Sequence, residues 1–462
     1  MLQVFTPEYY EHLASDLTFG MWRRLGMKRE QKRLDRLVSK AMRRTLTAEI
    51  DKAFERTDAY VWLLQAEDGK SVNQEVGRIQ AAVADAIGRQ NHEHKVVVHT
   101  DPLRVEIQKL RPDKVALSGQ LKAILKLPRN TYAFAPGVRQ LVSKHVLHTM
   151  NLDSPEVAQI LIAGATGSGK TQLATSIILT MALLNDPSHL SILIIDPKRV
   201  DIGNTDLRRL PHLAHPVITD PGLGVTAIYR LATEMKRRQD DIDACSRVNK
   251  RWIMPGRIFC YVDELADLIE NDSQVEKALT WIASQGRGLG IHLCLATQRP
   301  TVDVVTGHLR SNLPCRFGGW VRGADDSRII TGLPESGLED LQGSGMFRLF
   351  MRSVGVNLQG FYVDLDSDLP GLVDRIKPGQ PAWFIDNLLD TEDMPEAVAE
   401  QVKEETDIEP DLLFIEALER TRAGQTLSLN ELDRMRQQLE GKTLGRPAAK
   451  ALLARIQEAM NA

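Results

Sequence analysis

Gly164-Ala-Thr-Gly-Ser-Gly-Lys170-Thr171 is a complete GxxxxGK[ST] run, and no other stretch limits the fold of this chain so tightly. Apolar Ile160–Ala163 precedes it and reads as a buried strand, and Gln172–Leu184 follows with helical character. Between a strand and a helix, such a loop can curl its backbone N–H groups around phosphate oxygens. Glycine tolerates the dihedral angles the curl needs, and the helix N-terminus adds partial positive charge. Gly164, Ala165, Thr166, Gly167, Ser168 and Gly169 then form the cradle, Lys170 reaches the β- and γ-phosphates, and the Thr171 hydroxyl ligates Mg²⁺. The cradle belongs at the carboxyl end of a buried strand, which predicts an α/β fold.

At 462 residues the chain is long enough for roughly three domains. Its formal net charge of −3 excludes a globally basic protein, so any nucleic-acid contact has to come from local positive charge on a loop, a helix face or a channel. Cys245, Cys260, Cys294 and Cys315 lie far apart, without CxxC or Cys/His pairing, and read as core thiols of a reducing compartment. There is no signal-peptide pattern, and the apolar run Ser176–Leu184 is too short to span a bilayer. A cytoplasmic protein is expected, with any membrane tethering supplied by a partner.

Composition shifts suggest five regions. Residues 1–56 read as a basic helical segment, with lysine and arginine crowded between Trp22 and Arg44. Residues 57–125 read as a small α/β module: strands at Ala59–Leu64, Lys95–Thr100 and Leu103–Ile107, and a helix over Val72–Arg89 with Val76, Ile79, Val83 and Ile87 at helical spacing. Over 126–385 strands and helices alternate, as in a mostly parallel sheet covered on both faces. Ser191–Asp196, Ile258–Asp263 and Ile291–Thr297 are its clearest strands, each apolar and each ending in a polar residue. Residues 386–410 are acidic and poor in large apolar groups, like a linker, and 411–462 recover a helical pattern with a capping box at Ser428–Glu431.

Asp263-Glu264 ends an apolar strand. There Asp263 can hold the Mg²⁺ shell, and Glu264 can orient and deprotonate water for attack on a γ-phosphate. Gln298 ends a neighbouring strand, where its amide can sense both that water and the phosphate. Asp196-Pro-Lys-Arg199 ends another, either as a structural turn or as part of a coupling path, and carries no assigned chemistry.

AGATGSGKT, IIDPKR, IFCYVDELADL, RGLGIHLCLATQRPTVDVVTG and DDSRII together resemble the FtsK/SpoIIIE family of DNA translocases, within the FtsK–HerA group of ring ATPases, over roughly residues 150–365. The resemblance implies a RecA-like P-loop motor. It implies a homo-oligomeric ring, a hexamer, around double-stranded DNA, with ATP bound between subunits. It also implies that Arg287 reaches into the neighbouring subunit's ATP and that Arg299 and Arg328 lie on loops facing the DNA. Where relatives carry lysine this chain has Ala324, and nearby Arg322 can substitute. The tail is similar to the family's winged-helix domain, with Arg446 and Lys450 off the apolar stripe of its last helix, placed to contact either DNA or protein. Its turn is Gly-Arg-Pro, unlike the Asn-Arg turn of relatives that read oriented chromosomal sequences.

Three functions fit these residues. The first is an ATP-driven translocase of duplex DNA. The second is a coupling or secretion ATPase for conjugative DNA or protein transport, and the third is a non-motor regulatory or defence NTPase.

Overall fold

The computed structural model describes residues 114–386 apart from 141–144, 199–201, 334–335 and 352–353. It also describes strands of an upstream module and scattered further positions, among them 38, 79, 81–83, 388, 394–396, 398–400, 432 and 435. The basic stretch Trp22–Arg44 (save Val38), the capping box Ser428–Glu431, and Arg446 and Lys450 of the tail lie outside the described residues.

The upstream module is a four-stranded antiparallel sheet of β1 (Ala48–Glu55), β2 (Ala59–Ala66), β3 (Val96–Thr100) and β4 (Leu103–Gln108), in the order β1-β2-β4-β3. β2, β3 and β4 match the sequence reading. β1 does not: it falls in the segment expected to be helical, yet pairs with β2 from Ala48↔Ala66 to Glu55↔Tyr60. A bulge of one extra residue between Ile50 and Lys52 breaks its alternation, which hides a strand from a period-of-two search. Between β2 and β3, Ile79 and Val83 are helical and buried.

The remaining strands form one sheet: β5 (Val115–Ala116), β6 (Ala133–Gln140), β7 (His145–Asn151), β8 (Ile160–Ala163), β9 (Leu190–Ile195), β10 (Arg257–Val262), β11 (Ile291–Thr297), β12 (Cys315–Gly318), β13 (Met346–Met351) and β14 (Val354–Tyr362). Their order is β7-β6-β14-β13-β12-β8-β11-β10-β9, with β5 beside β14. From β9 to β12 the pairs are parallel, as expected for strands joined through covering helices. From β12 to β7 every pair is antiparallel, so the expected mostly parallel sheet is a mixed one. The reason is local: β13 and β14 are joined too closely for a crossover, and a short return enforces antiparallel pairing.

The helices are α1 (Leu117–Ile124), α2 (Lys170–Leu184), α3 (Pro221–Arg247), α4 (Leu265–Asn271), α5 (Val275–Gln285), α6 (Gly307–Ser311), α7 (Ala324–Thr331) and α8 (Leu369–Val373). They cover both faces of the sheet. Alternate residues of each central strand enter opposite cores: Leu161, Leu193, Cys260 and Leu295 meet α3 and α5 on one face, while Ile162, Ile194, Phe259 and Cys294 meet α2 on the other. Strands buried on both faces must be apolar throughout, which is how the sequence displays them.

Two stretches pack where the sequence did not place them. Val115–Ala116 pairs with Phe361–Tyr362, and Leu117 and Ile124 enter the core of the large sheet, so residues read as the end of the module pack onto the motor. Leu388 and Val398, inside the acidic stretch read as a linker, are buried against the α3 side of the same core. An average over acidic residues conceals two apolar anchors.

Cys260, Cys294 and Cys315 are free and buried, and burial pushes their thiols up, as expected of inert core cysteines. Among the described residues no helix is long and apolar enough to cross a membrane.

Buried histidines give the domain an acid limit. His292 is held down to about 3, chiefly by burial and next by the Arg257 guanidinium. Burial also lowers His148 and His212. A histidine whose folded value lies below its unfolded value contributes stability above the unfolded value, about 6.5, and that contribution is lost as pH falls toward the folded value. For His292 the cost approaches about 1.4 kcal/mol per pH unit well below 6.5 and above its folded value. The melting temperature is therefore expected to drop between pH 6.5 and 5, before most carboxylates titrate. His292→Gln should flatten that slope in a pH series of thermal melts; an unchanged slope would contradict the assignment.

Candidate nucleotide site

The phosphate-binding loop leaves β8 and enters α2, as the sequence predicts. Gly169 caps α2 at φ 99°, a left-handed angle that explains its glycine. A Cβ there would also stand 2.7 Å from the Gly345 backbone N. The loop is braced from outside: Ser344 N donates to Gly167 O at 3.2 Å and Gly345 N to Ser168 O at 2.9 Å. Ala165 N donates to Trp320 O at 2.7 Å. Lys170 is 7% exposed, and its Nζ donates to Gly164 O at 2.6 Å and Ala165 O at 3.3 Å, which places the ammonium within its own loop.

The placement of Glu264 and Gln298 follows from sheet register. β11 lies between β8 and β10, with Val262 opposite Leu295 and Thr297 opposite Ala163. Residues just past the end of β10 therefore meet the end of β11, which in turn touches the cradle. Glu264 Oε1 accepts from Thr297 Oγ1 at 2.7 Å, and Gln298 N lies 3.2 Å from each oxygen of that carboxylate. Gln298 Oε1 accepts from Thr166 Oγ1 at 2.8 Å. The predicted sensor thus touches both the cradle and the predicted base. Asp263 is buried, and Tyr261 Oη donates to its Oδ1 at 2.6 Å. Burial, and then the Asp263 charge, pushes the Tyr261 phenol well up, so it stays a donor.

Several of these contacts were not legible in sequence. Lys198 Nζ donates to Glu264 Oε2 at 2.6 Å. Within the stretch left without chemistry, Asp196 proves to be a staple, its Oδ2 accepting from Ile202 N at 2.9 Å and Gly203 N at 2.8 Å, while Lys198 reaches the site. Thr297, Tyr261 and the Gly343–Gly345 turn were also missed. The only available signal for the turn was Gly-Ser-Gly directly before an apolar strand.

Arg287 stands apart. It is exposed, in a 3₁₀ turn (Gly286–Leu289) that feeds the amino end of β11. β11 has seven residues, which at about 3.3 Å each separates Arg287 from Gln298 by about 20 Å. That is beyond the reach of one side chain. Arg238, 1% exposed, fixes the turn: its Nη1 donates to Leu289 O at 2.7 Å and Gly256 O at 2.9 Å, and its Nε to Glu234 Oε1 at 2.7 Å. Arg299 and Arg322 are exposed just past the carboxyl ends of β11 and β12, whereas Arg328 is exposed on α7, whose last turn returns to Arg310 and Arg316 at the amino end of β12. Arg299 pairs with Glu270 Oε1 at 2.8 Å, on the surface.

The cradle fits a nucleotide phosphate by its own geometry. It has a helix N-terminus, a glycine position closed to any Cβ, and a Ser168 Oγ that is buried without a hydrogen-bond partner among the described residues. Among those residues no group of three histidine, cysteine or acidic side chains can cage a metal.

Residues 135–252 match the model of the FtsK/SpoIIIE family. The DNA translocase FtsK of Lactiplantibacillus plantarum is 33% identical over 305 residues, covering 61% of this chain and 37% of that protein. The DNA translocase SpoIIIE of Bacillus subtilis is 33% identical over 316 residues, covering 64% and 38%. The chain thus spans little more than a third of the length of these relatives. Among solved structures, the cytoplasmic domain of the Thermomonospora curvata Type VII secretion ATPase EccC has a TM-score of 0.50 at 22% identity, covering 60% of this chain and 36% of that one, a likeness of fold.

Proposed function

We propose that the chain, whose residues 135–252 match the FtsK/SpoIIIE family model, is an ATP-driven translocase of double-stranded DNA of that family, working in the cytoplasm as a ring, a hexamer. One observation carries the reading. The cradle, Gln298 and Glu264 meet at one end of β11 while Arg287 sits at the other. Each copy then offers a nucleotide site on one side and an arginine on another, and a head-to-tail ring joins the two.

Lys170 and the loop N–H groups hold the β- and γ-phosphates of ATP. Glu264 orients a water and takes its proton, and Gln298 reports the γ-phosphate to the strand end that bears Arg299. Arg287 of the next copy stabilises charge on the transferring phosphoryl group. Thr171 and Asp263 would hold Mg²⁺, which when bound neutralises phosphate charge. Arg299, Arg322 and Arg328 face DNA phosphates, contacts that are salt-sensitive and blind to sequence. Arg446 and Lys450 of the tail add a further contact to DNA or to a partner protein, including one that tethers the motor to a membrane.

Triplex displacement tests the reading. The wild type should strip a third strand from duplex DNA with ATP, and Lys170→Ala should not. ATP hydrolysis without displacement would favour a non-motor NTPase.

A further inference from the structure

Glu264 is 1% exposed, and its carboxylate is engaged on both oxygens. Oε2 accepts from Lys198 Nζ at 2.6 Å, Oε1 from Thr297 Oγ1 at 2.7 Å, and Gln298 N lies 3.2 Å from each. An ionised carboxylate offers about four acceptor positions. Held this way, it has few positions left to accept from a water. The arrangement occupies the Glu264 carboxylate; it does not present it to a water.

The donors differ in how easily they can leave. Thr297 and Gln298 sit at the end of β11, a strand buried along its whole length and paired on both sides. Past β9, Asp196 is itself held by bonds from Ile202 N and Gly203 N. The Lys198 side chain is a flexible stem, 32% exposed, and can swing away without moving any strand. It is also the one charged donor of the set.

We propose that Lys198 is a positioning residue that restrains Glu264 in a resting orientation, and that turnover requires the Lys198–Glu264 pair to open. The inference rests on Glu264 being the general base of the proposed reaction. A route for opening is built into the chain. Gln298 N, bonded to Glu264, is the backbone neighbour of Arg299, whose own resting partner is the surface carboxylate of Glu270. A DNA phosphate that draws Arg299 from Glu270 shifts Gln298 N against the Glu264 carboxylate, and a carboxylate turned on that side loses its alignment with Lys198 Nζ. Motor activity without a track is thereby suppressed.

The test measures steady-state ATP turnover with and without duplex DNA, beside nucleotide binding and a thermal melt, in the wild type, Lys198→Met, Lys198→Gln and Lys198→Arg. Removing the ammonium should raise DNA-free kcat by about tenfold with little change in KM, and DNA stimulation should shrink in proportion. Lys198→Arg, which keeps the charge, should restore dependence on DNA. A purely structural lysine would lower kcat when removed, never raise it. DNA-free turnover at or below the wild-type rate in both neutral variants, with binding and melting intact, would overturn the restraint. Adding Glu264→Gln to Lys198→Met should abolish the gain, and a surviving gain would show that it does not act through Glu264. A wild type without DNA-stimulated turnover would sink the motor reading, yet a gain in Lys198→Met would still uphold the restraint.

Discussion

Glu264→Gln is expected to bind ATP about as well as the wild type and to hydrolyse it about 10²–10⁴-fold more slowly, the contribution typical of a positioned general base. The side chain is buried at the end of β10, and glutamine fills the same volume. An amide oxygen can still accept from Thr297 Oγ1 or from Gln298 N. What it cannot do is take a proton from water. Its neutral amide also leaves the Lys198 ammonium without its counter-charge; because Lys198 is partly exposed, that costs little stability. The phenotype is therefore a folded protein that loads nucleotide and stalls. Fluorescent-nucleotide binding beside phosphate release separates the two steps. Wild-type turnover in this variant would remove Glu264 from the chemistry.

Arg287→Ala should have an equal or larger effect, about 10³–10⁵-fold in rate, the range seen where an arginine stabilises a transferring phosphoryl group. The geometry adds a sharper expectation. Arg287 lies at the amino end of β11 and the cradle at the carboxyl end of β8 beside it, so in the proposed ring the arginine would serve another copy's site. Arg287→Ala protomers keep an intact cradle, and Lys170→Ala protomers keep an intact arginine. Mixed in equal amounts, the two inactive variants should rebuild about a quarter of the sites in a head-to-tail ring, since each whole site needs one protomer of each kind in the right order. Measurable turnover from the mixture, beside none from either alone, is the expected result. Silence from the mixture, with assembly intact, would exclude delivery in trans.

The residues legible from sequence were those whose neighbours along the chain define their job. The cradle announces itself because six positions between Gly164 and Gly169 must supply N–H groups and left-handed angles in one continuous turn. Glu264 and Gln298 could be picked out because an apolar strand that ends in a polar residue delivers it to the carboxyl edge of a buried sheet. The buried strands from β8 to β12 advertise themselves by being apolar on both faces. β1 did not, since a bulge interrupts its period, and neither did the antiparallel wing, since apolar runs carry no direction.

Sequence alone thus determined which groups are on offer: a phosphate-loop motif, an acid pair at one strand end, a glutamine at the next and an arginine that the family resemblance singles out. Only the tertiary structure decided who touches whom. Lys198 and Glu264 are 66 positions apart, and no spacing rule predicts that pairing; it arises because β9 and β10 run parallel side by side, which brings the loops after both strands to the same edge. The same parallel stacking sends Arg287 to the opposite edge from the cradle. Local sequence dictates which groups a segment can present, whereas strand order and register, set by how the two faces of the sheet bury their apolar side chains, dictate which of them meet.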